Sequence, residues 1–254
     1  MSNRWPSTLY LVRHGQSAGN VARDAADAAG AERIELVGRD VDVPLSALGE
    51  RQAVALGRWF AEGHADARPE IMLSSPYIRA IQTAERFRAA GGCDANEAIC
   101  IDERLREKEF GILDGLTVAG INKEFPDQAH FRAQLGKFYH RTPGGESWTD
   151  VILRLRSVLD TVSLHYAGQR VMIFGHQVVV LCMRYILENM DEAGILAVDK
   201  AGDVANCSIT EYRFDESMGR SGTMRLVRYN ETAPVEEAGE ATTAEPDHIV
   251  AARG

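Results

Sequence analysis

Short runs of consecutive apolar residues alternate along this chain with longer segments in which apolar positions recur every three or four residues. The first kind predicts strands buried on both faces, the second amphipathic helices. Together they predict an α/β protein, a three-layer α/β/α arrangement around a mostly parallel central sheet. Residues 8–12 (Thr-Leu-Tyr-Leu-Val), 71–73 (Ile-Met-Leu) and 171–174 (Val-Met-Ile-Phe) are strand candidates, and Ile99-Cys100-Ile101 is a shorter one. After Leu45-Ser46, the residues Leu48, Ala53, Leu56, Trp59 and Phe60 form one helical face. After Ser75, Pro76 suits a first helical position, and Ile78, Ile81, Ala84 and Phe87 form another face. Ser147 or Thr149 can cap a long helix bearing Val151, Leu155, Val158, Leu159 and Val162, with Gly168 as its terminator. Residues 208–214 and 224–229 alternate like an antiparallel hairpin at the sheet edge.

Composition narrows the class without changing the fold. Of 254 residues, 45% are apolar and 26% charged, the balance of a globular chain with one good core. The longest apolar run, residues 178–183, ends at Arg184, far short of the roughly 20 residues that cross a bilayer. The start lacks the apolar stretch of a secretory signal, so a cytoplasmic protein without membrane association is expected. Cys93, Cys100, Cys182 and Cys207 form no C-x-x-C pair, and are read as reduced thiols rather than metal ligands or disulfides. A net charge of -9 argues against a nucleic-acid partner. Residues 231–254 hold six acids against the single Arg253, which predicts a disordered acidic tail beyond a domain of residues 1–230. The Ala-rich residues 22–35 are read as helical.

In sheets of this kind ligands bind beyond the carboxyl ends of the strands. Beyond the first strand stand Arg13-His14-Gly15-Gln16-Ser17; beyond the second, Ser74-Ser75-Pro76 and Arg79; beyond the shorter one, Glu107; and beyond residues 171–174, Gly175-His176-Gln177. Arginine forks match phosphate oxygens in pairs, and histidine can be nucleophile, acid or donor. A small phosphomonoester is the guest that suits such a set. Arg13, Arg79 and His176 would neutralise phosphoryl charge, His14 would attack phosphorus, and Glu107 would protonate the departing oxygen. Neither a metal nor a cofactor is called for. Each residue also has a structural reading. Arg79 could pair with Glu85 or Asp94 on a helix surface, Ser147 is first a cap, and His64, His130, His140, His165 and His248 are expected at the surface.

A strand followed by Arg13-His14-Gly15 resembles the signature of the histidine phosphatase superfamily, which includes the phosphoglycerate mutases. The resemblance extends from residue 8 to about residue 214 through Leu11-Val12-Arg13-His14-Gly15-Gln16-Ser17 with Asn20, Pro44-Leu45-Ser46 with Gly49, Ser74-Ser75-Pro76 with Arg79, Leu105-Arg106-Glu107 with Phe110-Gly111, Gly145-Glu146-Ser147 and His176. It implies a phosphoglycerate mutase-like fold, His14 as the phosphorylated nucleophile, Glu107 as proton donor, and Arg13, Asn20, Arg79 and His176 as the phosphate pocket. Among branches the chain looks most like the fructose-2,6-bisphosphatase module, which also has a glutamine at the position of Gln177 and a Pro-x-Gly-Glu-Ser run like residues 143–147. Against the family, residues 22–35 form an insert, and the connection from Glu107 to Gly145 is too short for the closing insert of the mutases. Hydrolysis is therefore expected, with mutase activity or a non-catalytic phospho-ligand-binding role as alternatives.

Overall fold

The computed structural model describes residues 4–219 and 221–244. Its sheet has six strands: β1 (Thr8–Arg13), β2 (Ile71–Ser74), β3 (Ile99–Ile101), β4 (Arg170–Gly175), β5 (Ile209–Asp215) and β6 (Thr223–Glu231). Their spatial order is β3-β2-β4-β1-β5-β6, with β1 to β4 parallel and the β5–β6 hairpin antiparallel at the edge. The helices are α1 (Ala18–Ala28), α2 (Ala47–Glu62), α3 (Ile78–Ala89), α4 (Val118–Glu124), α5 (Pro126–Tyr139), α6 (Trp148–His165), α7 (Gln177–Leu187), α8 (Glu192–Ala201) and α9 (Ala233–Glu237).

The two-residue period of the strands divides the core into two layers. Leu9 and Leu11 of β1 and Val171 and Ile173 of β4 pack with Leu155, Val158 and Leu159 of α6 and with α7. Tyr10 and Val12, and Met172 and Phe174, pack on the other face with Leu56 and Phe60 of α2 and Phe87 of α3. Both faces of the central strands are thus covered, which is why their sequences run apolar without alternation.

Four boundaries differ from the sequence reading. The insert is helical only to Ala28, because a C-terminal Schellman arrangement closes α1: Gly30 takes φ +62, its N–H reaches the Asp27 carbonyl, and Ala31 N–H reaches that of Ala26. Residues 31–35 are therefore non-helical, joined to the opposite segment by a bridge of Arg33 with Leu116. Pro76 precedes α3, whose N-cap is Tyr77. The acidic segment expected to be disordered from residue 231 is folded through residue 244. Val235 of α9 is fully buried against the α2 layer, and Thr243 bonds Asn206 and Gln52. Its charges had masked one well-placed valine and a set of backbone acceptors. Residues 245–254 of that segment, with His248, lie outside the described residues. Gly168 likewise follows rather than ends α6, which stops at His165 with Tyr166 as C-cap.

Candidate active site

Parallel pairing of β1 with β4 puts Arg13 opposite Gly175, so the residues that follow, His14 and His176, emerge side by side at the carboxyl edge. His14 N–H donates to the Gly175 carbonyl at 2.9 Å, and the two imidazole rings lie 5.2 Å apart, steeply inclined. Both are fully buried. His14 Nδ1 lies 2.7 Å from the Gly15 carbonyl oxygen. A carbonyl can only accept, so Nδ1 carries the proton, and in the neutral ring the lone pair sits on Nε2. The turn after His14 approaches α2 too closely for any side chain: a Cβ on Gly15 would meet the Gly49 carbonyl oxygen at 2.5 Å. Gly15 N–H is held by Thr83 Oγ1, and Gln16 N–H by Gln52 Oε1. From the other side Asn206 Nδ2 donates to the His14 carbonyl, and Arg13 donates to the Val204 carbonyl.

The loop after β2 supplies the next shell. Ser75 Oγ lies 2.8 Å from His176 Nε2, and the Tyr77 ring packs edge-on against the His176 ring at 5.1 Å. Arg79, in the first turn of α3, is buried with its guanidinium 4.8 Å from the centre of the Tyr77 ring. Tyr77 O–H donates to Glu109 Oε1, which ties this cluster to the segment carrying Glu107. Burial, reinforced by Glu109 and Asp40, holds the Tyr77 phenol well above its ordinary pKa, so it is a neutral donor. Glu107 is itself buried, and its Oε1 accepts the Lys108 N–H at 2.7 Å.

His140, expected at the surface, is instead buried, with Nε2 lacking a hydrogen-bond partner among the described residues. It lines a cavity with Lys108, Phe110, Ile121, Arg132 and Thr142. Burial first, and then the charge of Arg132, push Lys108 down to about 8. Burial pushes Arg132 down to about 10, and His140 is lowered by burial, Arg132 and Lys108 in turn. Lys108 Nζ lies 4.0 Å from the centre of the Phe110 ring. Lys108, Arg132 and His140 thus share one small cavity of about 20 Å³, room for roughly one water, and burial there disfavours the charged form of each. The residue types were visible in the sequence, but their common burial was not.

The expected ligands are held by several different elements. Arg13, His14, Arg79 and His176 belong to one edge of the sheet, and the segment carrying Glu107 is tied to Tyr77 through Glu109. Asn20 completes the capping box of α1: its Oδ1 accepts from Ser17 N and Oγ. Gln177 Nε2 donates to Asp203 Oδ1 at 2.8 Å. Ser147 caps α6. Glu146, next to it, accepts from Arg154 and Arg106 and from Glu109 N–H. Although burial works the other way, the Arg154 bonds hold its carboxyl below the ordinary range. Arg79 pairs with neither Glu85 nor Asp94 but with Asp40, which arrives from the segment beyond the insert. Ser75 and Tyr77 lay within the motif after β2 and could have been singled out there; Asp40 and Asn206 had no local signal. Among the described residues, no three His, Cys, Asp or Glu side chains are grouped to hold a metal ion.

The fold is a three-layer α/β protein on a mostly parallel sheet, with two buried histidines and two buried arginines set at its carboxyl edge. Residues 9–231 match the model of the histidine phosphatase superfamily (branch 1), and the chain belongs to that family. It is 32% identical over 180 residues to a 6-phosphofructo-2-kinase/fructose-2,6-bisphosphatase of Caenorhabditis elegans, covering 70% of this chain but only 33% of that one. It is 30% identical over 215 residues to a probable phosphoglycerate mutase GpmB of Salmonella paratyphi C, covering 82% of this chain and 86% of the relative. Among solved structures, a mycobacterial glucosyl-3-phosphoglycerate phosphatase bound to inorganic phosphate superposes with a TM-score of 0.67 at 25% identity. That superposition covers 90% of this chain and 99% of the other.

Proposed function

We propose that this protein hydrolyses a small phosphomonoester without a metal ion, through a phosphohistidine formed on His14. The observation that carries this reading is the state of His14, whose Nδ1–H is given to the Gly15 carbonyl so that the Nε2 lone pair is available for attack. In the first step Nε2 bonds to phosphorus while the P–O bond to the leaving group breaks, and Glu107 gives that oxygen a proton. In the second, Glu107 takes a proton from water, the oxygen attacks phosphorus, and the P–N bond breaks to release inorganic phosphate. Arg13, Arg79 and His176 stabilise the equatorial oxygens throughout. The solved relative bound to inorganic phosphate supports the hydrolytic outcome.

The rest of the substrate carries a second anionic group, a carboxylate or phosphate. Support comes from Lys108, next to Glu107 in the chain, which shares a cavity with Arg132 and His140. Turnover of a panel of phosphomonoesters with and without such a group, in the presence of chelator, tests both statements. Stoichiometric inorganic phosphate, an acid-labile phosphoenzyme on rapid quench and preference for doubly anionic substrates are expected. Chelator-sensitive turnover would refute the mechanism. Interconversion of 3- and 2-phosphoglycerate faster than phosphate release would replace hydrolysis by mutase chemistry.

A further inference from the structure

Arg79, one of the two buried arginines read as phosphate ligands, has its fork already occupied. Its Nη1 donates to the Asp40 main-chain carbonyl at 2.7 Å and to Asp40 Oδ1 at 3.0 Å, while Nη2 donates to Asp40 Oδ2 at 3.1 Å. A carboxylate held by both terminal nitrogens of a guanidinium imitates two oxygens of a phosphate, because the fork matches either anion. The pair is almost dry on the arginine side, with side-chain exposures of 3% for Arg79 and 22% for Asp40.

Asp40 belongs to the segment that follows the insert. The upstream part of this segment is fixed to the start of α4: Ile34 N–H bonds the Gly115 carbonyl, and Thr117 N–H bonds that of Glu32. Downstream, Val37 is wholly exposed, and Asp40 reaches back over the site. Between this arm and Arg79 lies a cavity of about 200 Å³, lined also by Ser17, Leu36, Val43 and Asp114. That is space for several waters or a small polar group.

We infer that residues 36–42 form an autoinhibitory arm, in which the Asp40 carboxylate holds the Arg79 fork until a phosphorylated substrate displaces it. The inference rests on the reading of Arg79 as a phosphate ligand. A phosphate dianion attracts the guanidinium more strongly than a carboxylate monoanion does, so substrate can win the exchange. After hydrolysis the returning carboxylate competes with inorganic phosphate and favours its release. Asp40 therefore sets how tightly phosphate is held, and the arm discriminates against weakly bound single anions.

The substitution Asp40→Asn tests this, since it keeps size and the main-chain contact but removes the charge; Asp40→Ala removes the mimic altogether. Calorimetric titration with inorganic phosphate, and steady-state kinetics on p-nitrophenyl phosphate, should show phosphate bound at least tenfold tighter in both variants. KM should fall, and product inhibition should strengthen in parallel. Unchanged affinity would overturn the arm. Weaker binding with lower kcat/KM would also overturn it and make Asp40 a positioning residue for Arg79. Should neither wild type nor either variant bind phosphate or turn over, the functional reading itself falls and the arm with it. An active wild type matched by Asp40→Asn removes the arm alone.

Discussion

A single main-chain carbonyl fixes the chemistry available at His14. Because Gly15 O accepts from Nδ1, Nε2 is the nitrogen that attacks in the proposed mechanism, and His14→Ala should abolish turnover while phosphate binding survives on Arg13, Arg79 and His176. Residual activity within about tenfold of wild type, a barrier change of only about 1.4 kcal/mol, would contradict covalent catalysis. Glu107→Gln should slow alkyl phosphates far more than activated aryl phosphates, since only a poor leaving group needs the proton. Equal losses on the two would move the acid's role elsewhere. Lys108 gives a pH signature. Its ammonium, pushed down to about 8 by burial and Arg132, is charged below that value and neutral above it. Preference for substrates with a second anion should accordingly weaken as pH rises through about 8, seen as a falling ratio of kcat/KM for doubly over singly anionic substrates. At this scale the Arg-His-Gly turn was readable because its requirements are local. The burial of His140 was not, since the walls around it come from distant segments.

Elements place these residues, and α6 shows how. Ser147 Oγ accepts from Asp150 N–H, while Asp150 Oδ2 accepts from Ser147 N–H, a reciprocal capping box. Arg141 bonds the same carboxylate and, as the largest influence, brings it down to about 2. Ser147→Ala should cost about 1 kcal/mol, or roughly 2–4 °C in melting temperature, measured by calorimetry. The contribution of the depressed Asp150 is present above its ordinary value near 3.8 and is lost as pH falls from there toward 2. The cap, the α2 face and the edge hairpin were all legible in the sequence, because spacing and capping chemistry are properties of neighbouring residues. The end of α1 was not: an alanine-rich pattern continues through Gly30 and Ala31, and only the backbone turn there stops the helix.

Across the molecule, the acidic C-terminal segment buttresses the turn that carries His14. Gln52 joins the two, accepting from Gln16 N–H through Oε1 and donating through Nε2 to the Ala241 carbonyl and Thr243 Oγ1. Asn206 does the same on the other side, with its N–H on the Thr243 carbonyl and its side chain on the His14 carbonyl. Truncation after Thr232 would expose the environment of Val235 and leave Gln52 and Asn206 short of partners. The expected cost is on the order of 3 kcal/mol, from one buried valine and at least one broken buried hydrogen bond. Thermal denaturation should show a drop of several degrees, with kcat/KM on an aryl phosphate reduced as well. A truncated chain as stable and active as the whole would mean that the segment merely lies on the surface.

The sequence by itself determined the layered α/β fold, the strand ends and the residues gathered there, because apolar periodicity and turn chemistry act over a few neighbouring positions. The tertiary structure alone decided what those residues meet. The partner of Arg79 is Asp40, 39 positions away in the chain and brought in by a segment whose path no local pattern specifies. Lys108, Arg132 and His140 share a cavity only because α5 folds back over the Glu107 segment. The acidic segment docks because one valine and a few main-chain carbonyls find complementary groups, and that complementarity is a property of two surfaces rather than of either stretch of sequence.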